Sequence, residues 1–366
     1  MTDSYGWPPD DAAAGDDLLA RLGWDDGRQQ EFDQLDIPEA VPGRVARVDR
    51  GVCTVLGGDA AHRAVISPRF PTPAAGDWAA VRPAVAGGDD AGLRALLERR
   101  TTFTRQAAGD ETIEQVVAAN IDVIFLVSAL DQRFSLRRLE RYLTLGWQSG
   151  ATPVIVLTKT DLCDDVDAVV LEAESIAFGV DVLAISAETG EGLDLIQAYT
   201  SGNRTVALLG LSGAGKSTLI NRLIGEERLA TQDVRQDGRG RHTTTHRELI
   251  ALPGGGVVID TPGMRSVGLW DADGGAGLEQ TFADVQELAA GCRFSDCSHD
   301  GEPGCAVTAA IAEGTLPAER LESYSKLLRE LRFQELKQDK RARSEARKQW
   351  RVMSRAMRKA PKADRE

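Results

Sequence analysis

The stretch Thr205–Thr218, TVALLGLSGAGKST, limits what this chain can fold into more than any other. Val206 to Leu209 reads as a buried strand. Gly210-Leu211-Ser212-Gly213-Ala214-Gly215-Lys216-Ser217 fits G-x-x-x-x-G-K-[ST], the P-loop pattern, and Thr218 continues into a helix. Glycines let the backbone turn tightly enough for its N–H groups to face one cavity. The helix N-terminus at that cavity favours an anion. In such a loop the lysine, Lys216, reaches the β- and γ-phosphates and the hydroxyl of Ser217 ligates Mg²⁺. With 37 glycines among 366 residues the pattern alone can arise by chance, but a strand directly before it argues against chance. The loop does not choose between ATP and GTP, nor between kinase, ATPase and switch.

The surrounding chain alternates strand and helix. Ile121–Val127, Pro153–Leu157 and Val180–Ile185 are apolar strand candidates, separated by helical spacing over Ser135–Trp147, Val166–Phe178 and Gly192–Tyr199. After the P-loop helix come strand candidates at Glu248–Leu252 and Gly256–Ile259. Strands apolar throughout, interleaved with helices, predict a parallel sheet covered on both faces. Residues 37–106 differ. Gly43–Leu56 alternates around a turn at Asp49–Gly51, and His62–Ile66, Asp77–Val85 and Arg94–Thr104 are further short strands. Such a run suits a small barrel of the OB type. Arg44, Arg47, Arg50, Arg63, Arg99, Arg100 and Arg105 give it a basic tint, read either as a nucleic-acid face or as a solvated barrel surface.

Four further stretches accompany the P-loop. Thr158-Lys159-Thr160-Asp161 follows a buried strand, and an aspartate there can accept from the N1–H and exocyclic amine of guanine, a donor pair adenine lacks. Ser186-Ala187-Glu188 follows the next strand and resembles a second guanine-contact loop. Asp260-Thr261-Pro262-Gly263 offers an Asp for Mg²⁺ and a Gly amide for the γ-phosphate. Gly240-Arg241-His242-Thr243-Thr244-Thr245 offers one threonine to complete the Mg²⁺ shell, with Thr243 and Thr244 the nucleotide-binding candidates. The guanine loops precede the P-loop, whereas an ordinary GTPase runs P-loop, switch threonine, DxxG, then guanine loops. The domain is therefore read as circularly permuted, which close-lying termini permit.

Past the switch, Cys292-x4-Cys297-x-His299-x5-Cys305 offers three thiolates and one imidazole, a closed set suited to one structural Zn²⁺. Cys53 and Cys163 lie apart and read as core residues. Clustered cysteines in a chain that opens on Asp and Pro, without a secretory leader, predict a cytoplasmic protein. The best membrane candidate, Val116–Leu130, is interrupted by Asn120 and Asp122, so no membrane role is expected.

Charge is uneven. The net charge is −13, yet residues 1–40 carry eleven acids against two bases and residues 337–366 twelve bases against four acids. The acidic head, residues 1–36, is expected to be disordered, with Trp7 and Trp24 as local anchors at most. The basic tail predicts a local nucleic-acid contact.

On motif order, GLSGAGKST, GRHTTT, DTPGMR and the Cys/His cluster, residues 37–336 resemble the circularly permuted GTPases of the RsgA/YjeQ family. The resemblance implies an OB-fold barrel (37–106), a permuted α/β P-loop GTPase domain (107–270) and a mainly helical zinc-binding domain (271–336), with the basic tail from 337. It implies a GTPase that assists late assembly of the small ribosomal subunit, contacts 16S rRNA, turns GTP into GDP with stimulation by that subunit, and acts as a monomer. An alternative is a GTP-gated RNA-binding module whose hydrolysis is incidental. Thr158 stands where the family usually carries Asn, which predicts a weaker guanine contact. Met264 stands where many GTPases place a water-orienting Gln. His242 is the candidate for that task, a role the resemblance supports, against the reading of a loop histidine held by the backbone.

Overall fold

The computed structural model describes residues 16–84, 91–106, 114–227, 229, 248–260, 275–334 and 344. The first described residues form two short helices, α1 (Asp16–Arg21) and α2 (Asp26–Asp33). The expectation of a disordered head therefore does not hold over residues 16–36. Leu18, Leu19 and Leu22 are buried. Asp25 caps α2 by accepting from the Arg28 amide at 2.8 Å, and Trp24 meets Trp78 edge-on with ring centroids 4.8 Å apart. Averaged composition obscured a helical leucine spacing followed by an Asx cap.

Five strands follow: β1 (Val41–Asp49), β2 (Val52–Gly57), β3 (Ala61–Val65), β4 (Trp78–Arg82) and β5 (Ala91–Leu96). Their order is β1-β2-β3-β5-β4, and β4 pairs back to β1, closing an OB-like barrel around Val45, Cys53, Val55, Ala64, Val81 and Leu93. The strand expected at Arg94–Thr104 is broken. Residues beyond Leu96 leave the barrel, and β6 (Thr102–Gln106) pairs with β7 (Glu114–Ala119) in a separate two-stranded sheet. The break has a charge origin: Arg99 Nε and Nη2 each lie 2.7 Å from the buried Asp77 carboxylate, and Arg100 Nη2 lies 2.9 Å from Asp25 Oδ1. Arg44 is buried as well, donating to the Gly76, Leu22 and Asn120 carbonyls. Arg44 is buried and Arg99 largely so, holding the barrel to its neighbours, while Arg100 is paired with Asp25 but keeps 53% of its side chain exposed.

The central layer comprises β8 (Val123–Ala129), α3 (Leu136–Gln148), β9 (Thr152–Thr158), α4 (Val166–Glu174), β10 (Val182–Ile185), α5 (Leu193–Thr200), β11 (Thr205–Gly210), α6 (Lys216–Ile224), β12 (Glu248–Ala251) and β13 (Val257–Asp260). Strand order is β10-β9-β8-β11-β13-β12, parallel throughout except for β12. Both faces are buried, as the continuous apolar strands require. Val123, Phe125 and Val127 of β8 pack into one cluster, while Ile124 and Leu126 pack into another. The pairing Arg47↔Glu248 joins β12 to β1, so barrel and central sheet are continuous.

The C-terminal part is helical: α7 (Ala276–Thr281), α8 (Ala283–Ala289), α9 (Ala306–Glu313) and α10 (318–334). It docks on α3 through ion pairs described below. No helix among the described residues is long and apolar enough to cross a membrane.

Candidate functional site

The P-loop strand β11 lies between β8 and β13, so the loop leaves the sheet at the carboxyl edge where parallel α/β sheets hold ligands. A Cβ on Gly210 would stand 2.4 Å from the Val127 carbonyl oxygen, which restricts this position to glycine. Gly215 adopts φ +88, the left-handed turn that launches α6 at Lys216. Ser217 and Thr218 sit half-buried on the first turn of α6, behind Leu211, Ser212, Gly213 and Ala214.

Lys216 is buried, and its Nζ donates to the Gly210 carbonyl at 2.9 Å and the Leu211 carbonyl at 2.8 Å. Burial pushes its amine down to about 8, with Asp260 opposing that shift. Asp260 ends β13 and is itself buried; burial pushes its carboxyl above the usual range, against the pull of Lys216. Lysine and aspartate thus lie close enough to act on each other's charge, and burial disfavours the charged form of both.

The two expected base loops are at the same edge, after β9 and β10. Asp161 Oδ1 accepts from the fully buried Ser186 hydroxyl at 2.6 Å, so the loops are fastened to each other. That hydroxyl in turn accepts from the Thr189 amide at 3.1 Å. Ala187 is buried, and Thr160 is buried with no partner for its hydroxyl among the described residues. Lys159 adopts φ 63, and its amine lies 3.6 Å from Asp131. Thr158 donates its hydroxyl to the Ala214 carbonyl at 2.7 Å, within the P-loop. Its side chain is committed to the phosphate loop and is 2% exposed.

Sequence reasoning missed two arginines. Arg222, on α6, donates from Nε to the Ala187 carbonyl at 2.7 Å and from Nη2 to the Glu188 carbonyl at 3.2 Å, bracing the second base loop from the P-loop helix. Arg133, just after β8, reaches the carbonyls of Ser212 and Gly213. A basic residue one to two turns past the P-loop, or just past the neighbouring strand, was the available signal. His242, Thr243, Thr244 and Gly263 lie outside the described residues.

The Cys/His cluster forms in the loop between α8 and α9. The ligand atoms of Cys292, Cys297, His299 and Cys305 all lie within 4.8 Å of one another. Nδ1 of His299 is 3.6 Å from Cys292 Sγ and 3.4 Å from Cys305 Sγ, and those two sulfurs are 3.9 Å apart. Tetrahedral Zn²⁺ with bonds of about 2.3 Å to sulfur and about 2.0 Å to nitrogen puts its ligands roughly 3.5–3.8 Å apart, so this donor set fits the ion. Cys305 starts α9, where the Thr308 amide donates to its sulfur at 3.4 Å. Burial raises that thiol, but the Thr308 and His299 contacts outweigh it and bring it down to about 6. Glu302 straps the loop by accepting from the amides of Ser298 at 2.9 Å and Asp300 at 2.8 Å.

Comparison with known proteins places this geometry in context. The sequence model of the family described as RsgA GTPase matches residues 96–270. A "Small ribosomal subunit biogenesis GTPase RsgA" from Streptomyces coelicolor is 49% identical over 341 residues, covering 91% of this chain and 92% of the relative. One of the same name from Opitutus terrae is 46% identical, covering 85% and 89%. Among solved structures, YjeQ from Thermotoga maritima matches with TM-score 0.59 and 27% identity, covering 80% of this chain and 98% of that one. YloQ, described as a circularly permuted GTPase, matches with TM-score 0.55 and 25% identity, covering 81% and 96%.

Proposed function

This chain belongs to the RsgA GTPase family and is a GTP hydrolase, and from that premise we propose that it serves biogenesis of the small ribosomal subunit by binding GTP in the cleft between the P-loop and the two base loops. One observation supports the reading above the rest: the Lys216 loop, Asp161 and Ser186 converge at one sheet edge and are already cross-fastened through Thr158, Arg222 and the Asp161–Ser186 hydrogen bond. A cleft organised before ligand arrives loses little freedom on binding.

In this reading the P-loop amides of residues 210–215 and the Lys216 ammonium hold the β- and γ-phosphates. Lys216 leaves its own carbonyls, Gly210 and Leu211, to do so. Asp161 accepts from the guanine N1–H and amine, with Lys159 and Thr160 shaping its loop and Ser186–Ala187 bordering the base. Thr158 acts through the P-loop. Mg²⁺, which Ser217 and Asp260 would hold, offsets negative charge developing on the phosphate oxygens. Thr243 and Thr244 would contribute to the same shell and Gly263 to the γ-phosphate. Met264 offers no group to orient water, so His242 is proposed to position it once the switch is arranged, which makes hydrolysis slow until a partner acts.

Cys292, Cys297, His299 and Cys305 would hold one structural Zn²⁺, whose chemistry there is to cross-link a short loop. The barrel, this module and the basic residues of 337–366 are proposed to contact 16S rRNA, from the cytoplasm and as a monomer. GTP turnover measured with and without purified small subunits tests the function. Many-fold stimulation is expected. Unchanged turnover, with subunit binding retained, would favour a GTP-gated binding module and overturn this reading.

A further inference from the structure

We propose that Arg133 is a positioning residue for the phosphates of the bound nucleotide, acting through the outward carbonyls of the P-loop. A loop that turns its N–H groups inward onto a phosphate turns carbonyls outward, where a fixed side-chain donor can pin them in place of mobile water. Here Arg133 supplies it: Nη1 lies 3.2 Å from the Ser212 oxygen and Nη2 lies 3.3 Å from the Gly213 oxygen.

The guanidinium is itself held in place. Nη2 donates to Asp131 Oδ2 at 2.6 Å, Nε lies 3.2 Å from both carboxylate oxygens, and the Arg133 amide donates to Oδ1 at 2.9 Å. Partial burial raises the Asp131 carboxyl, but these hydrogen bonds outweigh it and keep the group ionised, below its ordinary range. The same carboxylate lies 3.6 Å from Lys159 Nζ, so base loop and phosphate loop share one acid. Arg138, on the first turn of α3, donates to the Arg133 carbonyl at 2.5 Å and fixes the approach from the other side. Arg133 thus bears on two consecutive peptide units of the loop, Ser212 and Gly213, where the backbone is otherwise free to flip through its glycines.

The inference rests on the P-loop reading, and the test separates the two. Kd values for GDP and for guanosine are measured by displacement of a fluorescent GDP from the full-length protein and its Arg133→Ala, Arg133→Lys and Lys216→Ala variants. Arg133→Ala is expected to weaken GDP roughly tenfold while guanosine, which has no phosphate, changes less than about twofold. Arg133→Lys should recover part of the loss, and in steady-state assays the loss should fall in KM. Should Arg133→Ala fail to fold, Arg133→Gln keeps a polar side chain without the guanidinium fork and leaves the Asp131–Lys159 pair in place, and it is expected to weaken GDP in the same selective way. Equal weakening of GDP and guanosine, or GDP affinity unaltered in both variants, overturns the proposal. If Lys216→Ala also leaves GDP affinity intact, the P-loop reading itself fails. If that variant alone loses GDP, only the role of Arg133 does.

Discussion

Arg320 and Glu140 form an ion pair 2.8 Å long with both side chains almost fully buried, joining α10 to α3. The guanidinium also meets Asp284 on α8 at 2.9 Å, donates to the Thr281 carbonyl at 2.6 Å and lies 4.3 Å from the Phe282 ring centroid, while Ser323 donates to Glu140. Two outer pairs, Arg137–Glu322 at 2.7 Å and Arg141–Glu330 at 2.5 Å, flank it along the same helices. Glu140→Ala should therefore destabilise the protein by about 1–3 kcal/mol, because Arg320 keeps Asp284 but loses its buried carboxylate partner and Ser323 loses its acceptor. Glu140→Leu with Arg320→Met should recover most of that loss. Denaturant titration of both checks this; equal losses would mean the pair is not the source.

Nucleotide affinity should depend on pH through Lys216. Its amine titrates near 8 in the free protein, and a bound phosphate favours the charged form. Above about pH 8, GDP binding must take up a proton, and affinity should fall by up to about tenfold per pH unit. Calorimetry in buffers of different ionisation enthalpy measures the uptake. The stability effect of the same group has the opposite sign. Its folded value lies below its unfolded one, so the penalty of burying the charge is present below about 8 and relieved as pH rises through that value.

Thr158→Val keeps the shape of the side chain and leaves the Ala214 carbonyl without its donor. A loss of about 1–3 kcal/mol is expected, with a several-fold rise in Kd for GDP. Chemical denaturation and GDP titration report the two quantities separately. A stability loss with no change in Kd would show that the tether does not shape the P-loop.

Asp161→Asn should exchange guanine for xanthine preference by roughly tenfold or more, since the site would then present a donor where an acceptor is matched to guanine. Competition between GDP and xanthosine diphosphate measures the exchange, and the Ser186 hydrogen bond is expected to survive because an amide oxygen still accepts it.

Chelation, or Cys297→Ser, should unfold the loop between α8 and α9 before the central sheet. The metal is expected at one equivalent per chain, and its removal should release a low-temperature transition in calorimetry. A single transition unshifted by chelator would argue against a structural ion.

The P-loop, the alternation of the central sheet and the four metal-ligand candidates were legible because each rests on local spacing: one turn, one strand period, one short loop. Arg133, Arg222 and Glu140 were not. Their partners, Ser212, Ala187 and Arg320, stand 79, 35 and 180 residues away, so a charged residue at a suggestive offset was the most the local pattern offered. Helices α1 and α2 were missed for a related reason. Leu18, Leu19 and Leu22 are buried only because the rest of the chain provides a surface to cover, which a count of acidic residues does not register. The broken strand after Leu96 follows from Arg99 and Arg100, whose long-range partners Asp77 and Asp25 outrank strand propensity.

The bridge between Arg47 of β1 and Glu248 of β12 has a bearing on solubility. An open sheet carries two rims of unsatisfied backbone that invite other chains to add on. Here the barrel occupies one rim, and the other is β10, a strand of four residues. Cutting the barrel away would bare β12 to intermolecular pairing, so the catalytic half of this enzyme travels best with its N-terminal companion attached.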